Sequence, residues 1–310
     1  TTQATSDLFY GRKIMQTLKM ERKDYPAVGE AVYQTTLRNG LKVFLLPKRD
    51  FNETYGIMTA NFGSIDTSFI PRGSNQAVQY PAGVAHFLEH KLFEDENGQD
   101  LLQQFVELGA ESNAFTSFTK TSYLFSATDN VLENVRLLQS LLENAYFTEE
   151  SVQREQGIIQ QEIDMYKDNP DYCLFFHTLA NLYPDTPLAE DIAGSVESIA
   201  EITVEDLDEN FETFYHPSNM SLLLIGNFDL EKTIAVIQEQ HESLKGIDEE
   251  SLIRRFPLAL NPVISTGSVR MEVANSKLAI GLRGNQSLAE VDLFRYKIGL
   301  KLLFAMMFGW

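Results

Sequence analysis

Two short segments constrain this chain more than any other feature, because each places charged or imidazole groups on what is otherwise a core-facing helix stripe. The run GVAHFLEHKLFE, Gly83 to Glu94, surrounds His86, Glu89 and His90 with Val84, Ala85, Phe87, Leu88, Leu92 and Phe93. On a helix, positions i, i+3 and i+4 share one face about a turn apart, so the three polar groups project together. A buried polar group is costly unless something satisfies it. The second segment, VQREQGIIQQEIDMY, places Glu155, Ile158, Ile159 and Glu162 on one stripe and points Gln156, Gln160 and Gln161 elsewhere. A carboxylate on such a stripe wants a cation, and the first helix wants a partner for its imidazoles.

Two imidazoles at i and i+4 can hold one Zn²⁺, and the carboxylate between them lies close enough to take a proton from a metal-activated water. The order His-x-x-Glu-His is the reverse of the commoner His-Glu-x-x-His. A catalytic zinc takes three protein ligands and keeps a fourth place open, so a third ligand must come from elsewhere, and the helix of Glu155 and Glu162 offers it. Without that unsatisfied site, a Glu on such a helix would read as a surface residue. A purely structural zinc would need a fourth protein ligand, which neither helix offers at suitable spacing. The other histidines read as structural: His177 in the core or at its boundary, His216 in a turn before Pro217, and His241 solvated among Glu and Gln. Phe175, Phe176 and the final LLFAMMFGW read as core, with exposure of the last as the alternative if its domain is cut short. No Ser/His/Asp motif and no Gly-rich phosphate loop accompanies them.

Composition narrows the function classes. Acidic residues outnumber basic ones 44 to 25, for a net charge of -19, which disfavours nucleic acid and anionic membranes as partners and suits a basic or neutral peptide. The single Cys173 cannot form an internal disulfide, so the expected compartment is cytoplasmic. The first 25 residues lack the apolar core of a secretory signal, and no run has the ~18 apolar residues of a membrane span.

Along the chain, VYQTTLRNGLKVFLLPK alternates about Asn39-Gly40 and predicts a hairpin with both turn residues at positive φ. TYGIMTANFGSI reads as a third strand, followed by a loop from Asp66 to Pro81 and the His-x-x-Glu-His helix. A helix near residues 100–108, two strands in ESNAFTSFT and TSYLFSATD, and helices near 130–145 and 148–167 come next. A helix around Cys173, an acid-capped helix from Thr203, the strand NMSLLLIGNFD and the helix DLEKTIAVIQEQHESL complete an α+β domain with a largely antiparallel sheet covered by helices. The predicted divisions are an N-terminal extension (1–30), a domain carrying the candidate zinc site (31–244), a linker (245–262) and the start of a second domain (263–310). That last part, with a strand in SKLAIGLRGN and an apolar helix from Leu293, weakly echoes the earlier strand and helix.

His86-Phe-Leu-Glu89-His90, followed by a distant Glu162, resembles the inverzincins, the pitrilysin, insulin-degrading and mitochondrial-processing-peptidase-like zinc metallopeptidases. GAESNAFT at Gly109 to Thr116 and FYHPSNM at Phe214 to Met220 extend the resemblance over roughly Tyr33 to Phe228, with the bacterial short-subunit branch most similar. The resemblance implies a LuxS/mitochondrial-processing-peptidase-like metallohydrolase fold with one Zn²⁺ per chain. It implies that His86, His90 and Glu162 are metal ligands, Glu89 the general base and Glu155 a supporting carboxylate. It further implies that the strand carrying Asn113, Ala114 and Phe115 pairs with an extended peptide substrate. The second, degenerate domain of the family is expected to be cut short at Trp310, so that Arg283 receives no role. An active enzyme is then expected to form a homo- or heterodimer with a second family subunit, and the isolated chain to turn over weakly. A non-catalytic subunit retaining the zinc site is the competing reading; retention of His86, Glu89, His90, Glu155 and Glu162 favours an endopeptidase.

Overall fold

Asn39-Gly40 does close a hairpin, but not the two-residue turn that its alternating flanks predict. In the computed structural model, which describes residues 19–71, 74–140, 145–241, 254–255, 258, 260–284 and 292–309, strands β1 (Glu21–Tyr25), β2 (Glu30–Thr36) and β3 (Lys42–Pro47) run antiparallel in succession. The loop between β2 and β3 runs from Leu37 to Leu41, and within it Gly40 alone takes a positive φ, of 89°. The cause is tertiary. The Asn39 carboxamide is buried, where Nδ2 donates to His241 Nδ1 at 3.0 Å and Oδ1 accepts the Leu41 N–H at 3.2 Å. β1 lies within the segment expected as an N-terminal extension, whose first 18 residues fall outside the described ones.

β4 (Thr54–Ala60) forms the centre of the sheet. Thr54, Gly56, Met58 and Ala60 are buried on one face and alternate with partly exposed Tyr55, Ile57 and Thr59, the period of a strand covered on one side. β5 (Ser68–Ile70) and β6 (Val78–Gln79) follow, then helices α1 (Val84–Lys91) and α2 (Leu101–Glu107). β7 (Ala110–Thr116) and β8 (Thr121–Ala127) form a hairpin, followed by α3 (Val131–Ser140), α4 (Glu149–Lys167), α5 (Pro170–Leu182), α6 (Val196–Ala200) and α7 (Val204–Phe214). β9 (Met220–Gly226), α8 (Leu230–His241), β10 (Arg254–Arg255) and α9 (Leu293–Phe308) complete the order. Among the described residues the main sheet runs β1-β2-β3-β9-β4-β8-β7, antiparallel except for the β3–β9 pair, and β10-β5-β6 form a small second sheet. The α+β reading with a largely antiparallel sheet therefore holds.

The core lies between this sheet and its helices, with Leu45, Phe62, Phe87, Leu88, Tyr123, Phe125, Phe214 and Leu222 excluded from solvent. α1 contacts β7 and β8 on one side and α4 and α7 on the other, which makes it a central helix and explains its apolar surround. α4 begins at a capping box in which Thr148 and Ser151 exchange side-chain to backbone hydrogen bonds, an arrangement worth about 1 kcal/mol. It ends at Asp168. Asn169 then caps α5, with Pro170 as its first residue, so α4 and α5 meet at a tight corner.

Several sequence expectations need correction. Ile158 is 47% exposed; the buried stripe of α4 is Val152, Glu155, Ile159 and Ile163, with Glu162 at its edge. His241 is buried rather than solvated, whereas His177 is exposed on α5 beside an exposed Phe175. SKLAIGLRGN forms no strand over residues 276–284, because no neighbouring strand pairs with it among the described residues and its surroundings are the side of α5. α9 forms as expected, and Leu302, Phe304 and Met306 are exposed rather than packed in a core, which is the alternative held open for this run. Most of the expected linker, 245–262, lies outside the described residues, and among those described no helix is long and apolar enough to cross a membrane.

Candidate metal centre

α1 is fixed at both ends before any site chemistry enters. Its first turn follows Gly83, at φ 94°, because the Ala82–Gly83 backbone lies directly against Ala193–Gly194. A Cβ on Gly83 would sit 2.6 Å from Ala193 O, and one on Gly194, itself at φ 78°, would sit 2.5 Å from Ala82 O. Ser198 Oγ donates to Ala82 O at 2.8 Å. At the other end, the buried Lys91 ammonium pairs with Glu94 Oε2, and Glu94 Oε1 accepts from Arg154 of α4 at 2.5 Å. The two helices singled out by the sequence are thus tied directly together.

Between them the ligand atoms of His86, His90 and Glu162 all lie within 4.8 Å of one another. Glu162 Oε2 is 3.7 Å from His86 Nε2 and 3.4 Å from His90 Nε2. The His90 Nδ1–H donates to Glu155 Oε1 at 2.9 Å, which presents Nε2 toward Glu162. His86 is buried, its Nδ1 has no hydrogen-bond partner, and its Nε2 is beyond hydrogen-bond range of Glu162. The orphaned Nδ1 costs about 1–3 kcal/mol, and Nε2, turned toward Glu162 Oε2, is the ring atom open to an ion. Helical spacing alone placed Glu155 and Glu162 on one stripe, and the resemblance gave them different roles; in the structure Glu155 lies behind His90 and Glu162 beside both imidazoles.

The electrostatics follow from burial and neighbours. Burial holds the His86 imidazole down to about 4, with His90 adding to the effect. Burial also opposes a charge on His90, but hydrogen bonds to Glu155 and Glu162 outweigh it and raise the ring to about 9. The His90 hydrogen bond pulls the Glu162 carboxyl down to about 2 against the effect of its burial. The cluster therefore offers one neutral ring, one ionised carboxylate and a place where positive charge is favoured. Two imidazoles and a carboxylate are a borderline donor set that suits Zn²⁺ and leaves room for a fourth ligand, so these residues fit the metal their motif implies.

Glu89 lies on the same helix, and burial raises its carboxyl above the usual range. Thr116, the last residue of β7, donates its hydroxyl to Glu89 Oε2 at 2.5 Å, a contact not foreseen although Thr116 closes the GAESNAFT run. Tyr166 was also missed. Its hydroxyl donates to Glu162 Oε1 at 2.5 Å and is itself raised to about 12 by that bond; its spacing of four residues from Glu162 on a helix was the available signal. β7 is the last strand of its sheet and leaves one edge unpaired among the described residues. Asn113 and Phe115 are exposed along it, and Ala114 turns inward. Arg283 is elsewhere, donating to the carbonyls of Leu182 and Asn261 at 2.8 Å.

The fold and these donors define a class: an α+β domain whose central helix carries an inverted His-x-x-Glu-His motif opposite a glutamate-bearing helix. The comparisons agree. Residues 68–196 match the model of Insulinase (Peptidase family M16), and residues 201–310 that of the Peptidase M16 inactive domain. The chain is 43% identical to the uncharacterized zinc protease YmfH of Bacillus subtilis, over 92% of this chain and 67% of that protein. It is 25% identical to an uncharacterized zinc protease of Rickettsia felis, over 82% of this chain and 61% of that protein. A crystal structure of an M16-like peptidase from Alicyclobacillus acidocaldarius superimposes with a TM-score of 0.69 at 37% identity, covering 77% of this chain and 54% of that one. The chain belongs to peptidase family M16. It spans about two thirds of the length of these curated relatives and about half of that solved chain.

Proposed function

We propose that the protein is a zinc-dependent endopeptidase that hydrolyses peptides or unfolded segments, with His86, His90 and Glu162 holding the metal and Glu89 as general base. The observation that carries this reading is the convergence of three ligand atoms within 4.8 Å, with the Glu89 carboxylate on the same helix as two of them. When bound, Zn²⁺ supplies Lewis acidity that polarises a carbonyl and makes water a nucleophile near neutral pH. Glu155 keeps the His90 proton on Nδ1, so that Nε2 is the free donor. Thr116 occupies Glu89 Oε2, leaving Oε1 to take the proton of the attacking water and return it to the leaving amine. The unpaired edge of β7, whose last residue Thr116 bonds Glu89, takes the peptide as an added strand along the backbones of Asn113, Ala114 and Phe115. Backbone pairing of this kind makes side-chain preference loose.

In the same reading the protein is cytoplasmic, a placement supported by its lone Cys173. It works as a homo- or heterodimer with a second family subunit that helps enclose the substrate. The test is metal analysis together with digestion of an unstructured peptide, with and without chelator, for the wild type and Glu89→Gln. One bound Zn²⁺ and chelator-sensitive cleavage that Glu89→Gln reduces at least ~100-fold support the assignment. A Glu89→Gln protein that holds zinc and cleaves at the wild-type rate refutes it.

A further inference from the structure

The Glu162 carboxylate faces two ways. Oε2 turns toward the two imidazole Nε2 atoms, whereas Oε1 accepts the Tyr166 hydroxyl at 2.5 Å. Tyr166 lies one turn further along α4, so this bond forms within a single helix. Its ring is held from outside, stacked on Tyr172 of α5 with centroids 4.6 Å apart and planes 14° from parallel. The Tyr172 hydroxyl donates to Asp191 Oδ1 at 2.6 Å, and that same oxygen accepts the Ala193 N–H at 2.9 Å. Ala193 and Gly194 are the residues against which the Ala82–Gly83 start of α1 rests. The path therefore returns to the helix that carries His86 and His90 and closes a ring around the three ligands.

We propose that Tyr166 is a positioning residue for metal binding, whose hydroxyl holds the Glu162 carboxylate so that Oε2 alone is presented, and that Tyr172, Asp191 and Ala193 brace it against α1. This rests on the reading of His86, His90 and Glu162 as Zn²⁺ ligands. The terminal torsion of a glutamate is broad and roughly two-fold, so an unrestrained carboxylate samples many orientations. A short bond to a carboxylate is among the stronger hydrogen bonds available and removes that freedom. Groups behind a metal ligand commonly change affinity 10- to 100-fold when deleted.

The experiment measures Zn²⁺ affinity of the purified chain by competition with a chromophoric chelator, for the wild type, Tyr166→Phe and Tyr172→Phe. Melting of the chelator-stripped proteins and the visible spectra of their Co²⁺ forms are recorded alongside. Tyr166→Phe keeps the ring and its stack, so it is expected to melt close to the wild type, to bind Zn²⁺ about 10- to 100-fold more weakly and to shift the Co²⁺ bands. Tyr172→Phe, which loses only the Asp191 bond, is expected to weaken Zn²⁺ by less than about tenfold. If Tyr166→Phe melts much lower than the wild type, the Co²⁺ spectrum decides: shifted bands support the role and unshifted bands overturn it. Unchanged Zn²⁺ affinity in Tyr166→Phe, beside a wild type that binds one ion, overturns the positioning role and leaves the ligand reading standing. A wild type that binds no Zn²⁺ overturns both.

Discussion

His241 ties three elements together, and its titration is expected to set part of the acid limit of the fold. The ring is 8% exposed, accepts at Nδ1 from Asn39 Nδ2 and donates from Nε2 to Gln139 Oε1, both at 3.0 Å, so both bonds use the neutral form. Burial lowers it from 6.5 to about 4. Between those values the unfolded chain holds a proton that the folded chain does not, so stability rises with pH across the window. The contribution is complete above about pH 6.5 and lost as pH falls toward about 4. At about 1.4 kcal/mol per unit, the full loss is about 3 kcal/mol, of which about 2 kcal/mol falls between pH 7 and pH 5. His241→Gln can still donate and accept but does not titrate. Urea unfolding of the wild type and this variant, each at pH 5 and pH 7, gives the difference directly. His86 titrates in the same window, but it is present in both proteins and cancels. Wild-type stability should fall by about 2 kcal/mol more than that of His241→Gln. Equal losses would show that the ring is not held neutral by the fold.

Three further outcomes follow from the site. Glu94→Ala removes the partner of a fully buried Lys91 and should cost about 3–5 kcal/mol, whereas Arg154→Ala, whose side chain is 52% exposed, should cost about 1 kcal/mol or less; denaturant titration of both separates them. Thr116→Val deletes the hydroxyl on Glu89 and should lower kcat about tenfold or more with little change in KM, and Thr116→Ser should restore it, in steady-state peptide cleavage. Glu155→Gln should weaken Zn²⁺ about 10- to 100-fold in a chelator competition without large loss of stability, because it weakens the acceptor that orients His90.

Much of the α+β domain was legible because its elements announce themselves locally. β4 alternates, β7 and β8 flank a short turn, and α4 is bracketed by a Thr148 cap and the Asp168-Asn169-Pro170 corner. The metal-ligand candidates were legible for the same reason, since His86 and His90 share a helix face whatever surrounds them. Contacts distant in sequence were not. Asn39 looked like a turn residue and His241 like a solvated one until the fold buried each beside the other. The strand predicted in SKLAIGLRGN has the right alternation but no pairing partner, and a strand without a neighbour leaves its backbone groups unpaired.

Periodicity and residue chemistry alone therefore determined which helices carry the donors, that two imidazoles and a carboxylate share one face, and that a second helix must answer them. Tertiary structure decided the division of labour: Glu162 beside both imidazoles, Glu155 behind His90, Thr116 against Glu89 and Tyr166 against Glu162. Helical spacing specifies the direction of a side chain to within a face. The choice between two carboxylates seven residues apart depends on where α4 crosses α1, and that crossing is set by Gly83 against Gly194 at one end and by Lys91, Glu94 and Arg154 at the other.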